Sequence, residues 1–397
     1  MHFFLPTLLT LFLSAQVFAQ IPGCTDPQAT NYNPAATVNN GSCVYNDPAI
    51  SPWQSIPLHA SVKETSGLTF HNASLITHND DGPPRLFILD TLNAQIIDSL
   101  SLNQTQNIDW EDLQTDASHF YVGDVGNNSS GNRQNLRIFK VPFSNTNEAD
   151  TIGFSYPDQV DFNPLAPNTT NFDCEAFVVY EDSIYLFSKR WNDLYTFLYA
   201  IPNSPGNHSA RLVQSFDAGG LVTGASVDTL NKRLVLCGYS PQLQPFIWLL
   251  YDFENRDFFS GNKRKLSLNL PLHQIEAITQ IGNDRYVMSN EFFHFAPLQP
   301  VYQALHYVDL HAYFSGSLSN SNEEIPLNPI QAFPNPAQES IGFNRNNSDY
   351  SLLDLSGKTI ENGRLNGNLL SVSHLKTGIY FIRFQDENEL YRFVKVE

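Results

Sequence analysis

The sequence predicts an all-β chain whose central part is a five- or six-bladed β-propeller. Runs rich in Tyr, Phe, Ile, Val and Thr are short and separated by Gly, Asn, Asp and Pro, as is typical of strands and turns. No long stretch has the 3.6-residue apolar period of a helix. A polar entry, an apolar residue and a β-forming run recur five times, with about nine residues between the two apolar positions. The paired positions are Leu68 with Ile76, Leu113 with Val122, Phe177 with Leu186, Ser226 with Val235, and Ile278 with Val287.

The repeats place the propeller at residues 52–314. Each repeat continues into further strands, such as RLFILD in the first and FIWLLYDF in the fourth. Four strands per repeat suit a propeller blade, and blades arranged in a ring protect most strand edges. A sixth blade would fit in the long interval between Leu113 and Phe177, and the segment from Trp53 to Leu58 could complete the last blade.

The charge of the chain narrows the possible partners. Its 397 residues carry 40 acidic against 22 basic side chains, a net charge of -18. This excess argues against binding to nucleic acid or anionic membranes, and it favours solubility or cation binding. No segment after residue 19 reaches membrane-spanning length.

Residues 1–19 predict a signal peptide. They form an apolar run that ends in Val17-Phe18-Ala19, which suits cleavage before Gln20. Only His2 could supply a positive charge near the start, so a buried N-terminal helix is the alternative. Export permits disulfides between the four cysteines. Cys174 and Cys237 fall in neighbouring repeats, where a bridge and two buried free thiols are both open.

Residues 20–48 predict a small disulfide module. The segment GCTDPQATNYNPAATVNNGSCVY is bracketed by Cys24 and Cys43, which we expect to pair, and it resembles a one-disulfide module of secreted Bacteroidetes proteins. Closing this loop contributes roughly 3 kcal/mol to a piece with little core. The module is either a structural spacer or a calcium site. The candidate oxygen ligands are those of Asp26, Asn31, Asn33, Asn39 and Asn40.

Residues 328–397 predict a small immunoglobulin-like β-sandwich, and a Ser/Asn-rich stretch within residues 315–327 predicts a flexible linker before it. The segment resembles the type A sorting domain of the type IX secretion system. The resemblance implies export by the type IX secretion machinery, followed by release or attachment at the cell surface. An adhesive β-module is the alternative. The matching positions are Pro334, Asn335, Pro336, Gly357, Lys358, Gly378 and Tyr380.

The candidate functional residues are acidic side chains at the start of the repeats. Innermost strands line the channel of a propeller, so acidic residues at the entries ETSGL, DWEDL, DCEAF and IEAI should converge near one axis. Carboxylates gathered in this way repel one another unless a cation or hydrogen bonds compensate, and calcium is a suitable cation. Alternatively, each carboxylate accepts backbone N–H bonds from the adjacent blade and only joins the blades. The predicted metal ligands are Glu64, Asp109, Glu111, Asp173, Glu175, Glu276 and Glu291.

The entries, the GDVGNN run at 123–128 and the SNE at 289–291 resemble propellers of the phytase-like and SdiA-regulated type. This resemblance implies calcium-dependent hydrolysis, with Asp124 as a metal ligand or base and Glu111 as a ligand at the reacting centre. HExxH, GxSxG, GxxxxGK[ST] and GxGxxG are absent from the sequence, which excludes the corresponding enzyme classes. The predicted ligand-binding side chains are Lys189, Arg190, Arg133, His78 and Asn290.

Two active functions follow from these observations, and a purely structural extracellular role is the third alternative. The first is a secreted or cell-surface propeller that binds an extracellular ligand through an acidic, calcium-binding channel. The second is a calcium-dependent phosphoesterase or lactonase acting in the same channel. The missing enzyme signatures favour binding.

Overall fold

The computed structural model describes residues 20–314, 332–333, 337–343, 348–354, 358–384 and 391–396. The chain forms two compact units, residues 1–318 and 319–397. The predicted signal peptide, the predicted linker, Pro334 to Pro336 and Gly357 lie outside the described residues. Within the described part of the chain, no helix has the length and apolarity needed to cross a membrane.

The first unit is built from strands joined by turns. Among residues 20–314 of this unit, the helical elements are two short 3-10 helices, Ala60–Val62 and His311–Tyr313. The strands are β1 (Pro22–Gly23), β2 (Val38–Asn39), β3 (Ala49–Ile50), β4 (Gln54–Pro57), β5 (Thr65–His71), β6 (Ser74–Asn79), β7 (Arg85–Leu89), β8 (Ile96–Ser101), β9 (Trp110–Thr115), β10 (His119–Asp124), β11 (Arg137–Pro142), β12 (Asp150–Ser155), β13 (Asp173–Tyr180), β14 (Ser183–Lys189), β15 (Tyr195–Pro202), β16 (Gly206–Ser209), β17 (Arg211–Asp217), β18 (Leu221–Asp228), β19 (Arg233–Tyr239), β20 (Pro245–Tyr251), β21 (Asn262–Leu268), β22 (Ile275–Gly282), β23 (Arg285–Asn290) and β24 (Ala304–Asp309).

These strands form five blades. Blade one is β5-β6-β7-β8, and blade three is β13-β14-β15-β17. Blade two is β9-β10-β11-β12, to which β16 adds a parallel outer strand. Blade four is β18-β19-β20-β21 with β3 parallel to β21, and blade five is β22-β23-β24 with β4 antiparallel to β24. The interval proposed for a sixth blade supplies β10, β11 and β12 of blade two, followed by a loop.

The innermost strands close a ring. Strand β5 packs on β9, β9 on β13, β13 on β18, β18 on β22, and β22 returns to β5. Apolar clusters fill the spaces between neighbouring blades; for example, Val235 and Ile247 of blade four pack with Ile278 and Met288 of blade five. The predicted propeller is therefore present, and the segment around Trp53 to Leu58 completes the last blade as predicted.

The disulfide module packs on blade four. Cys24 and Cys43 form the predicted disulfide, and β2 within the loop that it closes pairs in parallel with β1, which directly precedes Cys24. The Asp26 carboxylate accepts hydrogen bonds from the hydroxyls of Tyr45 and Tyr251, each at 2.7 Å. Because Tyr251 belongs to β20, this buried carboxylate joins the module to the propeller.

The oxygens proposed as calcium ligands in the module are used in its turns. Asn31 and Asn33 accept bonds from the backbone N–H groups of Val44 and Ala35. The remaining side-chain oxygens, those of Asn39 and Asn40, accept from the N–H groups of Gly41 and Ser42. These contacts support the structural role. Cys174 and Cys237 do not form a bridge: both are buried free thiols, which was one of the two alternatives.

The second unit is the predicted small sandwich. Its strands are β25 (Ala332–Phe333), β26 (Ser340–Phe343), β27 (Asp349–Leu353), β28 (Thr359–Arg364), β29 (Leu369–Ser371), β30 (Gly378–Phe384) and β31 (Tyr391–Lys395). One sheet is β25-β26-β29 and the other is β28-β27-β30-β31. Side chains of both sheets, including Ile341 and Leu370 on one side and Leu352 and Ile382 on the other, share one core. Lys358 precedes β28 and Gly378 begins β30, and the ring of Tyr380 stacks on that of Phe393 with 5.8 Å between the ring centres.

Candidate functional site

Each innermost strand has a β-bulge close to its start. The register between β9 and β10 shifts so that Glu111 is an extra residue, and Glu175 and Glu276 hold the same place in β13 and β22. In β18 the extra residue is Thr223, and in β5 the two residues Ser66 and Gly67 lie opposite the single residue His78. A bulge changes the direction of a side chain and is often found beside functional sites. The five bulges define a ring of buried polar side chains, Ser66, Glu111, Glu175, Thr223 and Glu276, which we call the bulge ring.

The two hydroxyls of the bulge ring join neighbouring blades. Ser66 Oγ donates to the main-chain carbonyl of Glu111 in the next blade at 2.7 Å. Thr223 Oγ1 likewise donates to the carbonyl of Ile275. An ionised carboxylate has no proton to donate in this way. Glu111, Glu175 and Glu276 therefore place acidic groups at positions where the other blades carry a connecting hydroxyl.

Three buried carboxylates meet on one side of the ring. Carboxylate oxygens of Glu111, Asp173 and Glu175 all lie within 4.8 Å of one another, and we call these residues the inner triad. Asp173 is oriented by the N–H of Asn127 at 2.7 Å and by the indole N–H of Trp191 at 2.9 Å. These contacts leave the triad with more oxygen acceptors than protein donors in the described part of the chain.

Burial and mutual repulsion raise the proton affinity of this side of the ring. Burial, followed by the charges of Glu175 and Asp109, holds the pKa of Glu111 well above its usual range. Burial, followed by the charge of Asp173, raises the pKa of Asp109 to about 6. Gly126 packs directly against Glu111 and Asp109, where a Cβ atom would collide with both carboxylates. Protons or a cation are therefore needed to stabilise this group of acids.

Lys189 is buried within the same ring. Its side chain is 4% exposed and its ammonium donates to Glu175 and, at 3.1 Å, to the Tyr239 hydroxyl. Burial disfavours the ammonium, but the interactions with Glu175, Tyr239, Glu276 and Asp173 together outweigh this effect and hold the pKa of Lys189 above its usual range. Tyr239 and Gln274 hydrogen-bond Glu276, whose pKa is nevertheless raised by burial. The predicted cation Lys189 is thus already paired with carboxylates of the channel.

A second group of carboxylates, which we call the outer triad, is partly exposed. Oxygens of Glu64, Asp80 and Glu291 lie within 4.8 Å of one another. Burial, followed by the charge of Glu64, raises the pKa of Asp80 to about 7. Burial, followed by the charge of Glu276, raises the pKa of Glu291 to about 9. Lys63 pairs with Glu64 at 3.0 Å.

Asp124 lies close to the inner triad but is paired with arginines. It is fully buried and receives hydrogen bonds from Arg133 and Arg137, each at 2.9 Å. Arg133 also donates to the Gly126 carbonyl and lies 3.9 Å from Asp109. Two guanidinium partners occupy the oxygens through which a catalytic base would accept a proton. The arrangement instead fixes the loop that carries Gly126.

The other residues predicted to bind ligands lie in structural contacts. His78 is fully buried and packs edge-on against Trp110, with 5.3 Å between the ring centres. Burial lowers the pKa of His78 to about 4. The Asn290 amide accepts from His306 at 2.8 Å, when that ring nitrogen carries the proton, and donates to two main-chain carbonyls. Arg190 pairs with Asp193, and its guanidinium lies 3.8 Å from the centre of the Phe197 ring.

Sequence reasoning missed Asp112, which joins two blades. Its carboxylate accepts from the N–H of Phe177 in blade three at 2.8 Å and from the N–H of Leu113 at 2.7 Å. Burial raises its pKa to about 7 although these hydrogen bonds oppose the increase. Because successive side chains of a strand point in opposite directions, the alternation within DWEDL could have predicted different roles for Asp112 and Glu111. Tyr239 was also missed as a member of the site, and its only signal was its position in the repeat, which is equivalent to that of Lys189.

Comparison with known proteins identifies the second unit. Residues 331–396 match the family model described as a secretion system C-terminal sorting domain. This match confirms the predicted type IX sorting domain. The protein is therefore a type IX secretion substrate that is secreted or held on the outer-membrane surface. No curated protein sequence matches the chain.

Solved structures similar to this chain include propellers at low identity. PorZ, a surface component of the type IX secretion system of Porphyromonas gingivalis, is 13% identical over 84% of this chain with a TM-score of 0.30, and the match spans 45% of PorZ. The WD40 propeller domain of Doa1 is 12% identical, with 87% of this chain and 97% of that chain covered and a TM-score of 0.32. XC5397 of Xanthomonas campestris, a gluconolactonase, is 11% identical, with 66% and 97% covered and a TM-score of 0.35. The chain is thus an exported β-propeller with a type IX sorting domain.

Proposed function

We propose that this exported propeller is a binding protein that holds calcium at the inner triad and presents the acidic channel to an extracellular ligand. The observation that carries the proposal is the meeting of Glu111, Asp173 and Glu175 in a buried position. The proposal includes entry into the periplasm by cleavage of the predicted signal peptide at residues 1–19.

The inner triad suits calcium for chemical reasons. Calcium is a hard cation that takes 6 to 8 oxygen ligands in flexible geometry, with water or a bound ligand completing the shell. The triad offers three carboxylates, and nitrogen or sulfur ligands are absent from the group. A divalent cation would also relieve the repulsion that raises the pKa of Glu111. The partly exposed outer triad would then be the surface that an extracellular ligand meets first.

Binding is better supported than hydrolysis. Asp124 is held by two arginines, and Lys189 is committed to Glu175, so neither is available as a base or as a contact for an anionic substrate. Arg190 is paired with Asp193. We therefore expect no turnover in a panel of phosphate esters and lactones with calcium present. Activity abolished by Glu111→Gln would favour the hydrolase instead.

Calcium titration of the mature chain tests the proposal. Protein freed of metal with EDTA should bind calcium, and its melting temperature should rise, because a ligand bound only to the folded state stabilises it by about 2.7 kcal/mol at 100 times its Kd. The double variant Glu111→Gln/Glu175→Gln should lose both effects. Glu254→Gln changes an exposed glutamate and should retain both effects. Absence of calcium binding by the wild-type chain would refute the metal site.

A further inference from the structure

We infer that Lys189 is a built-in cation of the bulge ring: its ammonium fills the side of the ring between Glu175 and Glu276 and restricts an added metal ion to the inner triad, on the other side of Glu175. The role of Lys189 rests on its own contacts. The restriction of calcium rests in addition on the proposed function.

The position of Lys189 is shared by the five blades, but its charge is not. Lys189 ends the second strand of blade three, opposite Asp173 in the register of β13 and β14. Counted from the bulge, the equivalent residues of the other blades are Asp80, Val125, Tyr239 and Glu291, which pair with Glu64, Asp109, Leu221 and Gln274. Of these five positions, only that of blade three carries a cationic side chain. It is also the position beside Glu175.

The contacts of Lys189 connect three blades. Its ammonium donates to Glu175 of blade three and to the Tyr239 hydroxyl of blade four. Tyr239 in turn hydrogen-bonds Glu276 of blade five. The chain Glu175, Lys189, Tyr239 and Glu276 therefore crosses the ring on one side, and a metal ion could enter that side only by displacing the ammonium.

Aromatic rings enclose the ammonium. Its nitrogen lies 4.8 Å from the centre of the Trp191 ring and 5.2 Å from that of Tyr239. Ring faces attract cations, and they exclude the water that a free metal ion would bring with it. Trp191 also donates to Asp173, so the same indole borders both the ammonium and the inner triad. This wall separates the two sides of the ring.

Replacing the ammonium by a neutral chain tests the inference. In choline chloride with EDTA, Lys189→Met should melt below the wild type because Glu175 and Glu276 lose their cation. Added calcium should then raise its melting temperature by at least about twice the wild-type increase, since the vacated side accepts a second ion. Calorimetric titration should show one more bound calcium than in the wild type.

Lys265→Met is the matched control. Lys265 also lies over two aromatic rings, those of Phe246 and Trp248, but its ammonium donates to the Ala218 carbonyl rather than to a carboxylate. Calcium should therefore raise the melting temperature of Lys265→Met by no more than it raises that of the wild type. An equal response of Lys189→Met and Lys265→Met would overturn the inference.

Two further outcomes separate this inference from the proposed function. If the wild type binds no calcium but Lys189→Met does, the built-in cation stands and the calcium site of the wild type fails. If the wild type binds calcium and Lys189→Met gains nothing, the built-in cation fails alone. Should Lys189→Met not fold at all, Lys189→Met/Glu175→Gln decides: folding of the double variant supports the charge role, and its failure to fold overturns it.

Discussion

Asp112 and Glu111 are adjacent acids with different roles. Glu111 lies in a bulge and faces the other acids of the ring, whereas the next side chain accepts the N–H of Phe177 in the neighbouring blade. The difference arises because successive side chains of a strand point in opposite directions. One carboxylate therefore faces the proposed calcium site while its neighbour holds two blades together.

Removing the Asp112 carboxylate should weaken the propeller without changing its channel. In Asp112→Ala, the buried N–H of Phe177 loses its acceptor, and an unsatisfied buried group costs about 1–3 kcal/mol. Urea unfolding should show a lower midpoint and an unchanged slope, while calcium binding persists. Asp98→Ala removes an exposed carboxylate and should shift the free energy of unfolding by less than about 0.5 kcal/mol. A normal midpoint for Asp112→Ala would mean that this hydrogen bond does not join the blades.

The N-terminal elements complete blades that come late in the chain. Strand β3 extends blade four, β4 completes blade five, and the disulfide module packs on blade four beside them. The disulfide and the closing strand could be predicted from the cysteine spacing and the repeat pattern. The docking of the module could not, because Asp26 meets Tyr251 across 225 residues of sequence and the repeat pattern contains no signal for that contact.

The module should stabilise the ring through its docking contact as well as through its disulfide. Tyr251→Phe removes one hydrogen bond to Asp26 and should cost about 1–2 kcal/mol, and Cys24→Ser/Cys43→Ser should cost roughly 3 kcal/mol. If the disulfide holds the module on blade four, the tyrosine substitution should cost little in the serine background. Thermal unfolding of the four proteins measures this coupling. Tyr195→Phe, at an exposed position, should be neutral, and additive losses would show that docking is independent of the disulfide.

At the scale of the whole molecule, the repeat pattern predicted that acids from separate hairpins meet at one axis, and the structure brings Glu111, Glu175 and Glu276 into one ring. The repeat could not predict the partners of Asp124, because Arg133 and Arg137 reach it from the loop and strand that follow. Nor could it predict that Lys189 is paired inside the ring. Such pairing depends on side-chain directions set by the bulges rather than on spacing along the chain.

The buried acids should give the metal-free protein an unusual dependence on pH. Burial raises the folded-state pKa of Asp109 to about 6, of Asp112 to about 7 and of Glu291 to about 9, and that of Glu111 rises as well. Between the unfolded and folded pKa values, the folded state binds more protons, so stability falls as pH rises, by up to about 1.4 kcal/mol per pH unit for each group.

In EDTA, the melting temperature should therefore be higher at pH 5.5 than at pH 8.5. Calcium competes with protons for the same carboxylates, so its stabilising effect should be small at pH 5.5 and should grow towards pH 8.5. Melting curves at both pH values, with calcium and with EDTA, measure the two effects together. The variant Glu111→Gln/Glu175→Gln should show a weaker dependence on pH and no calcium effect. If the wild type in EDTA becomes more stable as pH rises, then the ring acids are ionised and compensated without a cation, and both the calcium site and its coupling to protons fail.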